Sequence, residues 1–372
     1  MKFALFYQLQ NPRPWHPQAE YERYWQAIEQ VELAEQVGFE AVWLAEHHFM
    51  PEISHSGAPE ILLAAMAQRT SVIRLGFGVV LLPLSHPVRV AERVATLDIV
   101  SNGRVEFGTG RSTTRTQLDA FGVDPAETRE RWEESVDLIP RLWLEDTVTH
   151  EGKHYQLHGL SVLPKPVQKP HPPMWVACGQ ASTYELAGKK GIGAIGFSSG
   201  AFEEMERRIG TYRSALADAN PPGGVVNDRV GVWTMAHCAE SDREARDLAG
   251  PEALWYFRLV RRQLDEEWKN PSEVPESYRT YATSTSTDGP RRFGSYDDPD
   301  ATIDRGMFII GDPDSCIRQI ERYQRVGVEY MLCVMQVGRI PHEKIKNSIA
   351  LFGKHVIPHF AARASVAGGA SG

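Results

Sequence analysis

Two hydrophobic rhythms alternate along the chain. Short continuous apolar runs read as buried strands, and longer stretches with apolar positions three and four apart read as helices. KFALFY at 2–7 is the first strand, and residues 20–37 form a helix-like stretch stopped by Gly38. EAVWLA at 40–45 is a second strand, followed by an alanine-rich helix at 58–70. IRLGFGVVLL at 73–82 is a third strand, with a helix at 88–100 after Pro87. An Asn102-Gly103 turn leads into RVEFG at 104–108. The same rhythm returns with strands at 173–178, 192–197, 229–239 and 328–336, and helices at 181–190, 202–218, 241–262, 313–326 and 341–361. Eight strands, most of them followed by a helix, predict an α/β fold in which a parallel sheet closes into a (β/α)8 TIM barrel.

Two stretches interrupt the rhythm. Residues 146–172 read as a hairpin excursion with a Pro-rich connection. Residues 263–305 are polar, rich in Ser, Thr, Asp and Pro, and without a period. A loop that long in a compact domain is either functional or disordered. On a barrel it is placed to serve as a mobile lid. The expectation is a single barrel domain over 1–362, with a disordered tail at 363–372.

The 372 residues carry a net charge of −8 without a long single-sign block, which argues against a nucleic-acid partner. Four scattered cysteines form no CxxC pair and suit a cytoplasmic protein. No run approaches the roughly 18–20 apolar residues of a membrane helix.

The strand at 40–45 ends abruptly in Glu46-His47-His48. Barrel chemistry sits at the carboxyl ends of strands, so this cluster is the first candidate site. Neighbouring residues of an extended chain point to opposite faces, so one imidazole faces the barrel mouth and the other faces away. A metal site, a structural strand cap, and an acid/base or hydrogen-bonding role toward an organic cofactor all fit such a cluster. A metal site is disfavoured because the HxH spacing is absent. The fourth strand runs into GTGR at 108–111, where glycines and an arginine at a strand end suit a phosphate. This is neither a dinucleotide fingerprint nor a P-loop.

Five segments in order, AEHHF at 45–49, LPLSHPVRVAERVATLD at 82–98, SNGRVEFGTGR at 101–111, FGVDPAETR at 121–129 and PPMWVACGQAST at 172–183, together resemble the bacterial luciferase-like flavin-dependent monooxygenases. The resemblance covers residues 1–200 most fully and implies a (β/α)8 barrel. It implies reduced FMN at the carboxyl end of the barrel and oxidation of an organic substrate by dioxygen through a flavin peroxide. It assigns catalysis to His47, with His48 and Glu46 in support. It assigns the FMN phosphate to Arg111, Arg129, Gly179, Gln180 and Thr183. It also places a cis peptide at Gly78-Val79 beneath the flavin ring and Phe197 beside it.

Gly110 stands where luciferases carry a reactive cysteine, and Gln117 where they carry an aspartate. Both departures favour the broader monooxygenase family over a light-emitting enzyme. With no dinucleotide fingerprint in the chain, the expected partner is a separate flavin reductase. A homodimer through the helix at 58–69 is also implied. A deazaflavin-dependent hydride-transfer enzyme on the same barrel, or a non-catalytic flavin-binding protein, are the alternatives. The loop at 263–305 and a pocket around Trp15, Phe49 and Phe197 are expected to select an apolar or aromatic substrate.

Overall fold

A computed structural model describes residues 1–270, 274–278 and 298–361. The elements run β1 (Lys2–Tyr7), α1 (Ala19–Gln36), β2 (Ala41–Leu44), α2 (Pro59–Arg69), β3 (Arg74–Phe77), β4 (Val80–Leu81), α3 (Pro87–Val100) and β5 (Val105–Gly110). Next come α4 (Arg115–Ala120), α5 (Thr128–Leu144), β6 (Val148–Glu151), β7 (Gln156–Leu160), β8 (Met174–Ala177), α6 (Ala181–Lys189), β9 (Gly193–Phe197) and α7 (Phe202–Ala215). The rest is β10 (Val230–Cys238), α8 (Asp242–Glu267), a short helix Pro299–Asp304, β11 (Ile309–Gly311), helix Pro313–Arg325, β12 (Tyr330–Val334) and helix His342–Leu351, which continues through a π-helical segment, Phe352–Val356.

Parallel pairing runs β1-β2-β3-β5-β8-β9-β10-β12, and β12 pairs back to β1. Eight strands therefore close a barrel, as the alternating rhythm predicts. Residues 146–172 contain the expected hairpin, with β6 and β7 antiparallel. Among the described residues no helix is long and apolar enough to cross a membrane.

Three expectations need correction. The strand expected over 73–82 is two pieces, because the chain turns at the cis Gly78-Val79 bond between β3 and β4. β11 was not anticipated: it has three residues, too few to show a period, and pairs with the end of β10 at Ala236–Cys238. Helix α8 runs on to Glu267, into the stretch expected to be loop. Val260 and Leu264 keep the helical spacing there while charged neighbours mask it. Pro299–Asp304 is also helical, held by Asp298, whose Oδ1 accepts from the amides of Asp300 and Ala301. Of the expected lid, 271–273 and 279–297 lie outside the described residues, as does the tail at 363–372.

The lower barrel is packed with aromatic rings. Trp43 of β2 meets Trp175 of β8 edge-on at 5.6 Å, and Trp175 stacks on Tyr330 of β12 at 5.7 Å. All three are buried. Small residues opposite them make the room: a Cβ at Gly76 would fall 2.2 Å from Trp43, and one at Gly193 2.4 Å from Trp175. Such aromatic pairs contribute about 0.5–1.5 kcal/mol each beyond the area they bury.

Glu106, buried at the base of β5, holds this layer to its rim. Its carboxylate accepts from Trp175 Nε1 at 2.7 Å, Arg229 Nη2 at 3.1 Å and Arg74 Nε at 2.5 Å. Removing one partner of a buried pair leaves uncompensated charge, which costs several kcal/mol. Glu106→Leu is expected to lower unfolding stability by about 3 kcal/mol, the low end of that range because both arginines are partly exposed. The urea midpoint at constant m-value measures this, and an unchanged midpoint would remove Glu106 from the account.

Candidate active site

Above the tryptophan layer the barrel opens into a cavity of about 290 Å3 at the carboxyl ends of the strands. Its wall includes Glu46, His47, Gly78, Val79, Arg111, Arg129, Gly179, Gln180, Thr183 and Phe197. Of the expected catalytic and cofactor-binding residues, His48 is not in that wall.

His47 is aimed by the segment that follows β2. Ala45 N donates to Tyr7 O at 2.9 Å, Ser56 Oγ donates to Ala45 O at 2.6 Å, and His47 N donates to Ser56 O at 3.0 Å. This strapping turns the His47 ring inward and leaves Nδ1 without a protein partner. The ring is enclosed by protein on most sides and open to the cavity on one. Burial, with the neighbouring His48 second, pushes its pKa from 6.5 down to about 4. His47 is therefore a neutral imidazole at physiological pH.

His48 points away and braces the loop. Its Nε2 lies 3.2 Å from Glu46 Oε1, and its ring meets Phe121 edge-on at 4.9 Å. The other oxygen of Glu46 accepts from Leu81 N at 3.1 Å, so one carboxylate ties β4 to the His47 loop. His47 lines the cavity and His48 does not, so the two imidazoles face different surroundings.

The cavity wall also carries arginines. Arg111 follows β5 directly, and its Nη1 is buried without a hydrogen-bond partner among the described residues. Its guanidinium carbon lies 5.4 Å from the centre of the Tyr278 ring. Arg129 sits in the first turn of α5 and is exposed; its Nε donates to Glu133 at 2.9 Å, a surface pair of small energetic weight. Gln180 is the N-cap of α6, and its own side chain makes no capping hydrogen bond to that helix. A helix N-terminus and a buried guanidinium nitrogen in the wall of one cavity suit an anionic group.

Glycine and glutamine at the two departures from luciferase have local reasons. A Cβ at 110 would come 2.5 Å from Val79 Cγ2, so the Val79 side chain fills that space. Gln117 is buried; its Oε1 accepts from Ser112 Oγ at 3.3 Å and its Nε2 lies 3.4 Å from Met50 Sδ, which braces the turn after Arg111.

The expected aromatic pocket is only one-third right. Phe197 lines the cavity, but Trp15 and Phe49 do not. Trp15 donates its Nε1 to Asn11 O at 2.6 Å on the outside, and Phe49 is exposed beside Phe121. The aromatic wall is instead Phe197, Trp233, Phe257, Phe6, Tyr256 and Trp132. Phe197 lies 4.7 Å from Trp233 and 5.5 Å from Phe257, and Phe6 lies 5.8 Å from Trp233. Inward alternation along β1 and β10 could have found Phe6 and Trp233. Tyr256 and Phe257 lie mid-helix in α8, where spacing alone does not separate a cavity wall from core. Trp268 and Tyr278 were also missed: they stack at 5.1 Å and hold the Arg111 turn, through Trp268 Nε1 to Thr113 O at 3.1 Å and Tyr278 Oη to Ser112 O at 3.1 Å.

Comparison with known proteins agrees with the barrel. Residues 1–330 match the family described as Luciferase-like monooxygenase, and the chain belongs to that family. It is 30% identical to limonene 1,2-monooxygenase from Rhodococcus erythropolis, over 90% of this chain and 81% of that one. It is 26% identical to the oxygenase component of a flavin-dependent trigonelline monooxygenase from Acinetobacter baylyi, over 97% of this chain and 96% of that one. Among solved structures, monooxygenase RslO1 from Streptomyces bottropensis superposes with a TM-score of 0.82 at 26% identity, covering 97% of this chain and all 100% of that one. An F420-dependent secondary alcohol dehydrogenase shares the fold at a TM-score of 0.70 and 18% identity, covering 95% of this chain and 98% of that one, so the fold alone does not choose the flavin.

The low pKa of His47 has a consequence for stability. As pH falls, the unfolded chain takes up this proton near 6.5 and the folded chain only near 4, so stability is full above about pH 6.5 and declines toward 4. His237, whose pKa burial also pushes down to about 4, adds to the same decline. Between pH 7 and pH 5 the wild-type protein is expected to lose about 1–2 kcal/mol more stability than His47→Gln. Denaturant titrations at the two pH values measure it, and equal losses in both proteins would show that His47 titrates normally.

Proposed function

We propose that this chain is the oxygenase component of a two-component FMN-dependent monooxygenase. It takes reduced FMN from a separate flavin reductase and uses dioxygen to oxidise a small apolar or aromatic molecule. The observation that carries the reading is the buried Nη1 of Arg111, unpaired among the described residues, in the wall of one cavity with the N-terminus of α6. A buried cationic group without a partner is costly unless an anion completes it.

The residues fit the whole cofactor. Arg111, Arg129 and the start of α6 at Gly179, Gln180 and Thr183 would hold the phosphate, and Gly78, Val79 and Phe197 line the wall where a flat ring would lie. When bound, reduced flavin supplies the two electrons that let one atom of dioxygen enter the substrate while the other leaves as water. His47 would hold or move a proton at Nδ1, the atom that the protein leaves free. Its neutrality at physiological pH lets the ring either donate or accept there. Glu46 and His48 keep it aimed. The aromatic wall excludes water from the space above the ring.

The relative named as an oxygenase component supports the two-component arrangement. A homodimer and a cytoplasmic location belong to the same reading. Ile61 and Val72 are exposed near α2, and Gln68 joins that helix to Val100, also exposed, with its Nε2 2.9 Å from Val100 O. Of the alanines expected to pair the subunits, Ala67 is buried against the protein's own core.

Anaerobic titration followed by tryptophan fluorescence is expected to show saturable binding of reduced FMN. Arg111→Ala should weaken it about 10- to 100-fold, the weight of a charge-assisted hydrogen bond of about 1.5–3 kcal/mol. Binding of reduced F420 in place of reduced FMN would replace this reading with hydride transfer.

A further inference from the structure

The cavity wall carries a polar device to which the flavin reading assigns no role. Tyr256 of α8 and Gln8, just beyond β1, both line the cavity, and both are buried. Gln8 Nε2 lies 2.8 Å from Tyr256 Oη. Gln8 Oε1 lies 3.3 Å from Gln10 Nε2, and Gln10 Oε1 lies 2.8 Å from Gly338 N. Gln336 fixes the backbone of Gln10 from the other side: Gln10 N donates to Gln336 Oε1 and Gln336 Nε2 donates to Gln10 O, each at 3.1 Å.

The direction of this chain is forced. A backbone N–H can only donate, so the Gln10 atom facing Gly338 is oxygen. Its Nε2 then faces Gln8, whose facing atom must be oxygen as well. Gln8 is left to present Nε2 to Tyr256. The phenol oxygen therefore accepts, and its own O–H is the end of the relay. Burial pushes the Tyr256 hydroxyl well above its ordinary value of 10, so the proton stays on. Among the described residues no acceptor is recorded for it.

The surroundings of that donor are apolar and flat. Tyr256 packs edge-on against Phe257 at 5.1 Å and against Trp233 at 6.5 Å, and Trp233 stacks parallel to Phe257 at 6.4 Å. A polar donor kept in an aromatic wall by three glutamines costs stability unless something in the cavity accepts from it.

We propose that Tyr256 is a specificity-determining residue whose hydroxyl donates to an acceptor oxygen of the substrate, so that the substrate class is a flat, otherwise apolar carbonyl compound. This rests on the monooxygenase reading for the meaning of "substrate", while the hydrogen bond itself stands on the geometry of the relay. A site built to hydrogen-bond one atom discriminates against the analogue that lacks it, because the buried donor is then left unpaired.

The test uses the purified full chain and two probes of nearly equal shape, 1-tetralone and tetralin, whose binding is followed by calorimetry. Wild type is expected to bind the ketone about 10-fold more tightly than the hydrocarbon, the weight of one hydrogen bond. Tyr256→Phe is expected to bring the two affinities within about twofold, chiefly by weakening the ketone. Equal affinities in wild type overturn the proposal without any variant. A preference for the ketone that survives in Tyr256→Phe overturns it too. Reduced-FMN affinity is measured in parallel. If FMN binds while the ketone preference is missing, the proposal fails and the monooxygenase reading stands. If the preference is present and lost in the variant while FMN does not bind, the Tyr256 assignment stands and the cofactor is wrong.

Discussion

Glycines at 76 and 193 let Trp43 and Trp175 fill the lower half of the barrel, and the upper half depends on that packing. A Cβ at either glycine would overlap an indole ring, so those rings lie where only glycine opposite permits them. Glu106 then fixes the layer, because its two oxygens serve an indole N–H and two guanidinium groups at once. With the lower barrel solid, the carboxyl ends of the strands carry their side chains around an open space. His47, Arg111 and Phe197 leave β2, β5 and β9 at that level and so share one cavity, although they are distant in sequence.

The cavity wall carries unlike groups. An imidazole is kept neutral by burial, and a guanidinium nitrogen is buried with no hydrogen-bond partner among the described residues. Much of the rest of the wall is aromatic and aliphatic. A neutral proton-handling group, an anion cradle and an apolar slot are the three features that a phosphorylated flavin with an organic substrate would use. Glu46 couples two of these regions, since one oxygen holds β4 beside Val79 and the other holds His48 in the loop that aims His47.

Much of this was legible in the sequence. The eight strands show as short apolar runs because both faces of a parallel strand are buried, and Glu46-His47-His48 shows because charge ends such a run abruptly. Arg111 shows because it follows glycines at a strand end. The missed features had weaker signals. β11 is too short for any period, and the end of α8 is masked by charged neighbours around Val260 and Leu264. Phe49 belongs to the AEHHF motif and Trp15 follows β1 closely, yet the chain turns both outward. Tyr256 and Phe257 reach the cavity from the middle of a long helix, where helical spacing cannot distinguish a cavity wall from a packed core. The Gln8–Gln10–Gln336 relay depends on contacts between residues more than three hundred positions apart, which no local pattern contains.

The account stands on a phosphate at Arg111 and the start of α6. The most direct measurement is the anaerobic affinity of the wild-type protein for reduced FMN against reduced riboflavin, which differ only by that phosphate. The account predicts a preference for FMN of about 100-fold, or about 2.7 kcal/mol. Equal affinities would mean that the arginines of the cavity wall serve another anion, and the flavin assignment would have to be abandoned.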